Sequence, residues 1–115
     1  MQTLLLIHCK NNKSLRERIS KDEKLTGYFL QKIRDQQPGR SPGWLKLSST
    51  DPSKAGVLNI DWNSNGQFLK CRVINKGKGR PDRIVGDFLG YLMARHRTHI
   101  TFMTIVPKRP KRLSR

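Results

Sequence analysis

Two alternating runs joined by a short Asn-Gly link constrain this chain more than any other feature. Gly56 to Trp62 alternates, Asn63-Ser64-Asn65-Gly66 supplies turn residues, and Gln67 to Ile74 alternates again. Period-two alternation on both sides of such a link predicts an antiparallel hairpin. Successive side chains on a strand point to opposite faces, so the hairpin sorts itself. Leu58, Ile60 and Trp62 join Leu69, Cys71 and Val73 on the core face. Val57, Asn59 and Asp61 join Phe68, Lys70, Arg72 and Ile74 on the other. A face carrying Phe68 flanked by Lys70 and Arg72 can stack a base and hold its phosphate, the combination used in single-strand recognition. The competing reading is a solvated sheet face with one exposed aromatic.

The flanking segments extend this sheet. Thr3 to Cys9 is a short, nearly continuous apolar run that predicts a buried strand rather than a signal peptide, since no basic residue precedes it. Ser14-Leu15-Arg16-Glu17 matches a capping box, repeated at Ser20-Lys21-Asp22-Glu23. Leu25, Phe29 and Ile33 follow at i, i+4, i+8 and predict a helix ending before Pro38-Gly39, with Gly27 as a weak point. Trp44 to Leu47 reads as an extra short strand at a sheet edge. Pro81 suits the first turn of a second helix. Ile84, Phe88 and Leu92, with Val85, Leu89 and Met93, make its apolar stripe, and Arg95, His96 and Arg97 sit at its C-terminal end, favourable against the helix dipole. Ile100 to Val106 is a last strand. The expected fold is therefore α+β, a split β-α-β (ferredoxin-like, β-α-β-β-α-β) antiparallel sheet with two helices on one face. Residues 1–106 form that domain and residues 107–115 a disordered basic tail.

Charge then names a class of partner. The 115 residues hold 24 Lys and Arg against 8 Asp and Glu, a formal net charge of +16. The excess is uneven: residues 67–115 carry thirteen cations and two acids, residues 1–66 eleven and six. Such crowding is self-repulsive, and a bound polyanion relieves it. A spanning helix is not expected, because no apolar run approaches about 18–20 residues, and no helix pairs a basic face with a broad apolar one, as a membrane surface would require. Two cysteines, Cys9 and Cys71, are too few for a disulfide framework, so a reducing, cytoplasmic compartment is the simpler expectation.

Lys76-Gly77-Lys78-Gly79-Arg80 is the sharpest local motif. Glycines permit close backbone approach to phosphate, and a helix N-terminus with Arg83 in its first turn follows. The Walker pattern is absent, so phosphate-backbone contact is expected rather than a nucleotide pocket. Lys108, Arg109, Lys111 and Arg112 form a basic arm that adds affinity without specificity, or a nuclear address in a eukaryotic host.

Enzyme readings are weaker. Asp61 could hold a divalent cation in a small nuclease, but the following strand offers Lys70 and Arg72 without an acid. His96-x-x-His99 lacks the Glu of a zinc-protease helix. Asp87, four residues after Arg83, fits a surface ion pair. Gly86 and Gly90 suggest a small-residue face for tight packing. No cofactor or resident metal is expected. The leading expectation is a nucleic-acid-binding protein, RNA or DNA, with an adaptor docking on an acidic protein or ribosome surface as the alternative.

Overall fold

A computed structural model describes residues 2–10, 13–54, 56–75 and 82–108. The chain runs β1 (Gln2–Cys9), α1 (Leu15–Ser20), a 3-10 turn (Leu25–Tyr28), β2 (Leu30–Arg34), β3 (Trp44–Ser49), β4 (Val57–Asn63), β5 (Phe68–Ile74), α2 (Asp82–Arg95), a second 3-10 turn (Arg97–His99) and β6 (Ile100–Lys108). The six strands form one sheet in the order β2-β3-β4-β5-β1-β6, and every neighbouring pair is antiparallel. No helix among the described residues is long and apolar enough to cross a membrane.

The hairpin forms as its alternation dictates, with Leu58, Ile60, Leu69, Cys71 and Val73 buried. Its turn closes with Asn63 Oδ1 accepting the Gly66 N–H at 2.9 Å. The Ser14 cap also forms, its hydroxyl accepting the Glu17 N–H at 3.2 Å.

The long first helix does not form. α1 stops at Ser20, and Leu25 to Arg34 becomes a 3-10 turn and an edge strand. Phe29, at φ 66°, takes the left-handed conformation that no helix interior tolerates, and its side chain is 54% exposed. Leu30, outside the i, i+4 set, is the buried residue of β2. The expected four strands are thus six, and Trp44–Ser49 lies inside the sheet, bonded to β2 and β4, rather than at its edge.

Both helices cover one face. Leu15 and Ile19 of α1 and Ile84, Phe88, Tyr91 and Leu92 of α2 share one core with Leu5, Ile7, Leu45 and Leu47. Met93, placed on the stripe by spacing, is exposed, and Tyr91 takes its place. Gly86 and Gly90 meet nothing where a Cβ would stand, so they serve no tight packing. Asp87 pairs with Lys54 at 2.7 Å rather than with Arg83. β6 continues through Pro107 to Lys108, two residues beyond its expected end.

A buried polar cluster closes the end of α2. Asp22 accepts the Tyr91 hydroxyl at 2.7 Å and the Arg95 guanidinium at 3.1 and 3.2 Å, and His96 Nε2 lies 2.8 Å from the same hydroxyl. Burial works to raise the Asp22 pKa, but bonds from Arg95, the Lys24 N–H and Tyr91 outweigh it and hold it at about 2. Burial lowers the His96 pKa; Asp22 opposes this, while Arg95 and His99 add to it. Burial thus favours the neutral form of the His96 imidazole over a helix-end cation. Both groups release protons on folding, so stability falls as pH falls. The His96 share is lost first, below the unfolded value of about 6.5, and the Asp22 share from about 3.9 downward. His96→Gln is expected to flatten the fall in melting temperature between about pH 7 and 5, leaving a residue from His99, whose pKa is also lowered, by burial and by Arg18, Lys13 and Lys10. An unchanged slope in thermal melts would show that His96 carries none of it.

Candidate nucleic-acid interface

The face opposite the helices is built in cross-strand rows. One row runs Phe102, His8, Phe68, Asn63 across β6, β1, β5 and β4. The next runs Thr104, Leu6, Lys70, Asp61, Trp44, and the third Val106, Leu4, Arg72, Asn59, Lys46, Arg34. Strand pairing therefore separates the face into an apolar, ring-bearing side that runs from β6 through β1 to Phe68 at the start of β5, and a cationic side from the rest of β5 to β2.

The rings touch. His8 stacks on Phe102 with centroids 4.1 Å apart and planes 12° from parallel, and lies 5.4 Å from Phe68 at 33°. Phe102 is 56% exposed and Phe68 half-buried. A Cβ on Gly66 would stand 2.6 Å from the Phe68 ring, so the absent side chain lets the turn seat that ring. Only a base with a free face can lie against such a row.

The cationic side holds Lys70, Arg72, Lys46 and Arg34 on strands and Arg40 on the β2–β3 loop. That loop folds onto the face and covers Trp44, which is 1% exposed although its register position belongs to the open side. The Arg40 guanidinium lies 5.4 Å from the Trp44 ring centroid, a cation–π distance. At Gly43 a Cβ would stand 2.8 Å from the Trp62 carbonyl, so only glycine allows the loop to dock this closely. Arg40, Trp44, Lys46, Asn59 and Ile74 line a trough of about 630 Å³, and Arg40, Lys70, Arg72, Asn59 and Asp61 line a hollow beside it. Asp61 is the one acid on this face among the described residues, and it accepts the Ser41 hydroxyl at 2.7 Å. No group of three or more His, Cys, Asp or Glu that could share a metal ion occurs among the described residues.

The loop itself is held from the opposite layer. Arg16, on α1, is buried; its Nε and Nη2 donate to the Trp44 carbonyl at 3.1 and 2.8 Å, and it also bonds the Asp35 carbonyl and the Glu17 carboxylate. One guanidinium thus fastens both ends of the β2–β3 loop.

Of the residues singled out from sequence, Phe68, Lys70 and Arg72 come together on the open face. Arg83 does not join them; it is exposed on α2, on the helix side. Lys108 ends β6 in register with Gln2. Lys76, Lys78, Arg80, Arg109, Lys111 and Arg112 lie outside the described residues, as does Pro81. His8, Phe102, Arg34, Arg40 and Lys46 escaped the sequence reading. β1 and β6 are apolar on both sides, so neither shows which face a residue takes; Arg40 is on a loop without periodicity, Arg34 falls in a segment whose spacing suggests a helix, and the face of Lys46 is set by the register of β3 with β4. Compared with known proteins, the chain matches no protein family, no curated protein and no solved structure.

Proposed function

We propose that this protein binds single-stranded nucleic acid on its helix-free sheet face. The observation that carries the reading is the Phe102–His8–Phe68 row standing in register beside Lys70 and Arg72. Rings stack bases without demanding a sequence, and the cations meet the phosphates between them. Strands β6-β1-β5-β4, with connections through α1 and α2, fit a split β-α-β frame that β3 and β2 extend on the cationic side. The net charge of +16 adds long-range attraction for any polyanion.

Fluorescence anisotropy on protein freed of nucleic acid by nuclease and high salt tests this. Labelled single-stranded RNA and DNA are expected to bind more tightly than duplexes of the same length and composition, because paired bases have no free face to offer the rings. Equal affinity for single strands and duplexes would remove the stacking platform from the account. Equal affinity for polyglutamate of matched charge would assign the face to acidic protein surfaces instead.

A further inference from the structure

The two edges of the sheet are built differently. β2 is five residues long, interrupted by a register shift between Lys32 and Arg34, and carries Gln31, Lys32 and Arg34 exposed. Shortness, bulging and charge are the ordinary protections of an edge strand against pairing with another chain. β6 carries such features only near its ends, a bulge at Thr101, where the pairing with β1 steps from Phe102 to Ile100, and a proline at 107; Phe102–Val106 between them has none. β6 is nine residues long, runs Ile100-Thr101-Phe102-Met103-Thr104-Ile105-Val106-Pro107 before its first charged residue, and pairs only with β1 among the described residues.

β6 is also apolar on both faces. Phe102 and Val106, 56% and 37% exposed, lie on the open side; Ile105, 49% exposed, lies with Met103 on the helix side, where α2 does not reach the edge. A single docked side chain would cover one of these faces. A paired strand covers both and satisfies the outward N–H and C=O groups as well.

We propose that β6 is a dimerisation edge and that its occupant is β6 of a second copy, paired antiparallel about Thr104. The sequence is self-complementary in this register. It pairs the regular segment Phe102–Val106 throughout, setting Phe102 opposite Val106, Met103 opposite Ile105 and Thr104 opposite Thr104. Aromatic with β-branched and Thr with Thr are favourable cross-strand pairs. The paired segment holds no charged residue, so no like charges face each other. The paired residues have matching parity, so the two open faces join on one side of a doubled sheet and the helices stay together on the other. The ring row of each copy then continues toward its partner's, though the dimer stands on the edge strands and does not need the nucleic-acid reading.

Net charge of +16 on each copy opposes association, so salt strengthens the dimer while it weakens polyanion binding. The two ideas therefore fail separately. Sedimentation equilibrium of the full chain without nucleic acid is expected to give twice the mass of one chain, with a dissociation constant that falls as sodium chloride rises. Ile105→Lys, a substitution on the helix side and away from the rings, is expected to leave a folded monomer with the wild-type melting curve less its concentration dependence. A wild type that stays monomeric at high salt and at its highest soluble concentration overturns the proposal, as does a dimer indifferent to Ile105→Lys. Should that variant not fold, cross-linking decides. Thr104→Cys places the two thiols opposite each other and is expected to give a covalent dimer under mild oxidation, whereas Thr101→Cys, in the bulge outside the paired segment, gives much less. Cys9 and Cys71 are buried and do not compete. Equal cross-linking of the two variants would contradict the register and the edge together.

Discussion

Arg16→Met is expected to destabilise the protein by about 2–4 kcal/mol, since the carbonyls that the guanidinium serves lose their donor while methionine fills most of the volume. For a domain of this size that corresponds to a fall in melting temperature of roughly 10–20 °C. The Trp44 carbonyl accepts two bonds from Arg16, and Asp35 accepts a third at the other end of the β2–β3 loop. Arg16→Lys is expected to recover only part of the loss, because an ammonium lacks the fork that reaches both carbonyls. The same substitution loosens the loop that carries Arg40, so nucleic-acid affinity falls with stability. A thermal melt within a few degrees of wild type would mean that Gly43 and the Arg40–Trp44 stack hold the loop without α1.

The second large effect concerns the rings. Phe68→Ala with Phe102→Ala is expected to weaken single-strand binding by roughly 2–6 kcal/mol, from about 1–3 kcal/mol per stacked base. The two effects need not add, since both rings lean on His8. Phe102 is more than half exposed, so its loss costs the fold little. Phe68 faces away from Leu69, Cys71 and Val73, so its loss leaves the core intact. A double variant that unfolds instead would show that the row is structural support for the β1–β5 pairing.

Sequence reading reached the parts of this fold where one face is apolar and the other is not. The hairpin of β4 and β5 alternates cleanly, so Phe68, Lys70 and Arg72 could be placed on the open side from parity alone. The α2 stripe was legible for the same reason, at a period of 3.6. The segment from Leu25 to Ile33 misleads because three apolar residues at i, i+4, i+8 fit a helix by position, while Leu30 supplies the burial and Phe29 breaks the turn. Arg16 was illegible because a cation is expected at the surface, and only the fold brings the Trp44 and Asp35 carbonyls to it. Phe102 and His8 were hidden by strands apolar on both sides, where register with β5 and not local pattern decides which face a side chain takes. Asp87 had two cations within reach, and tertiary structure chose Lys54 over its helical neighbour Arg83.

The helix-free face as the nucleic-acid surface is tested most directly by the salt dependence of single-strand binding in two double variants measured side by side. Lys70→Ala/Arg72→Ala is expected to lose affinity and to flatten the plot of log K against log salt by up to about 0.7 for each phosphate contact removed. Phe68→Ala/Phe102→Ala is expected to lose affinity at every salt concentration with the wild-type slope, because stacking releases no counterions. Both variants binding as wild type, with slope and affinity unchanged, would place the ligand elsewhere on the molecule and contradict the account.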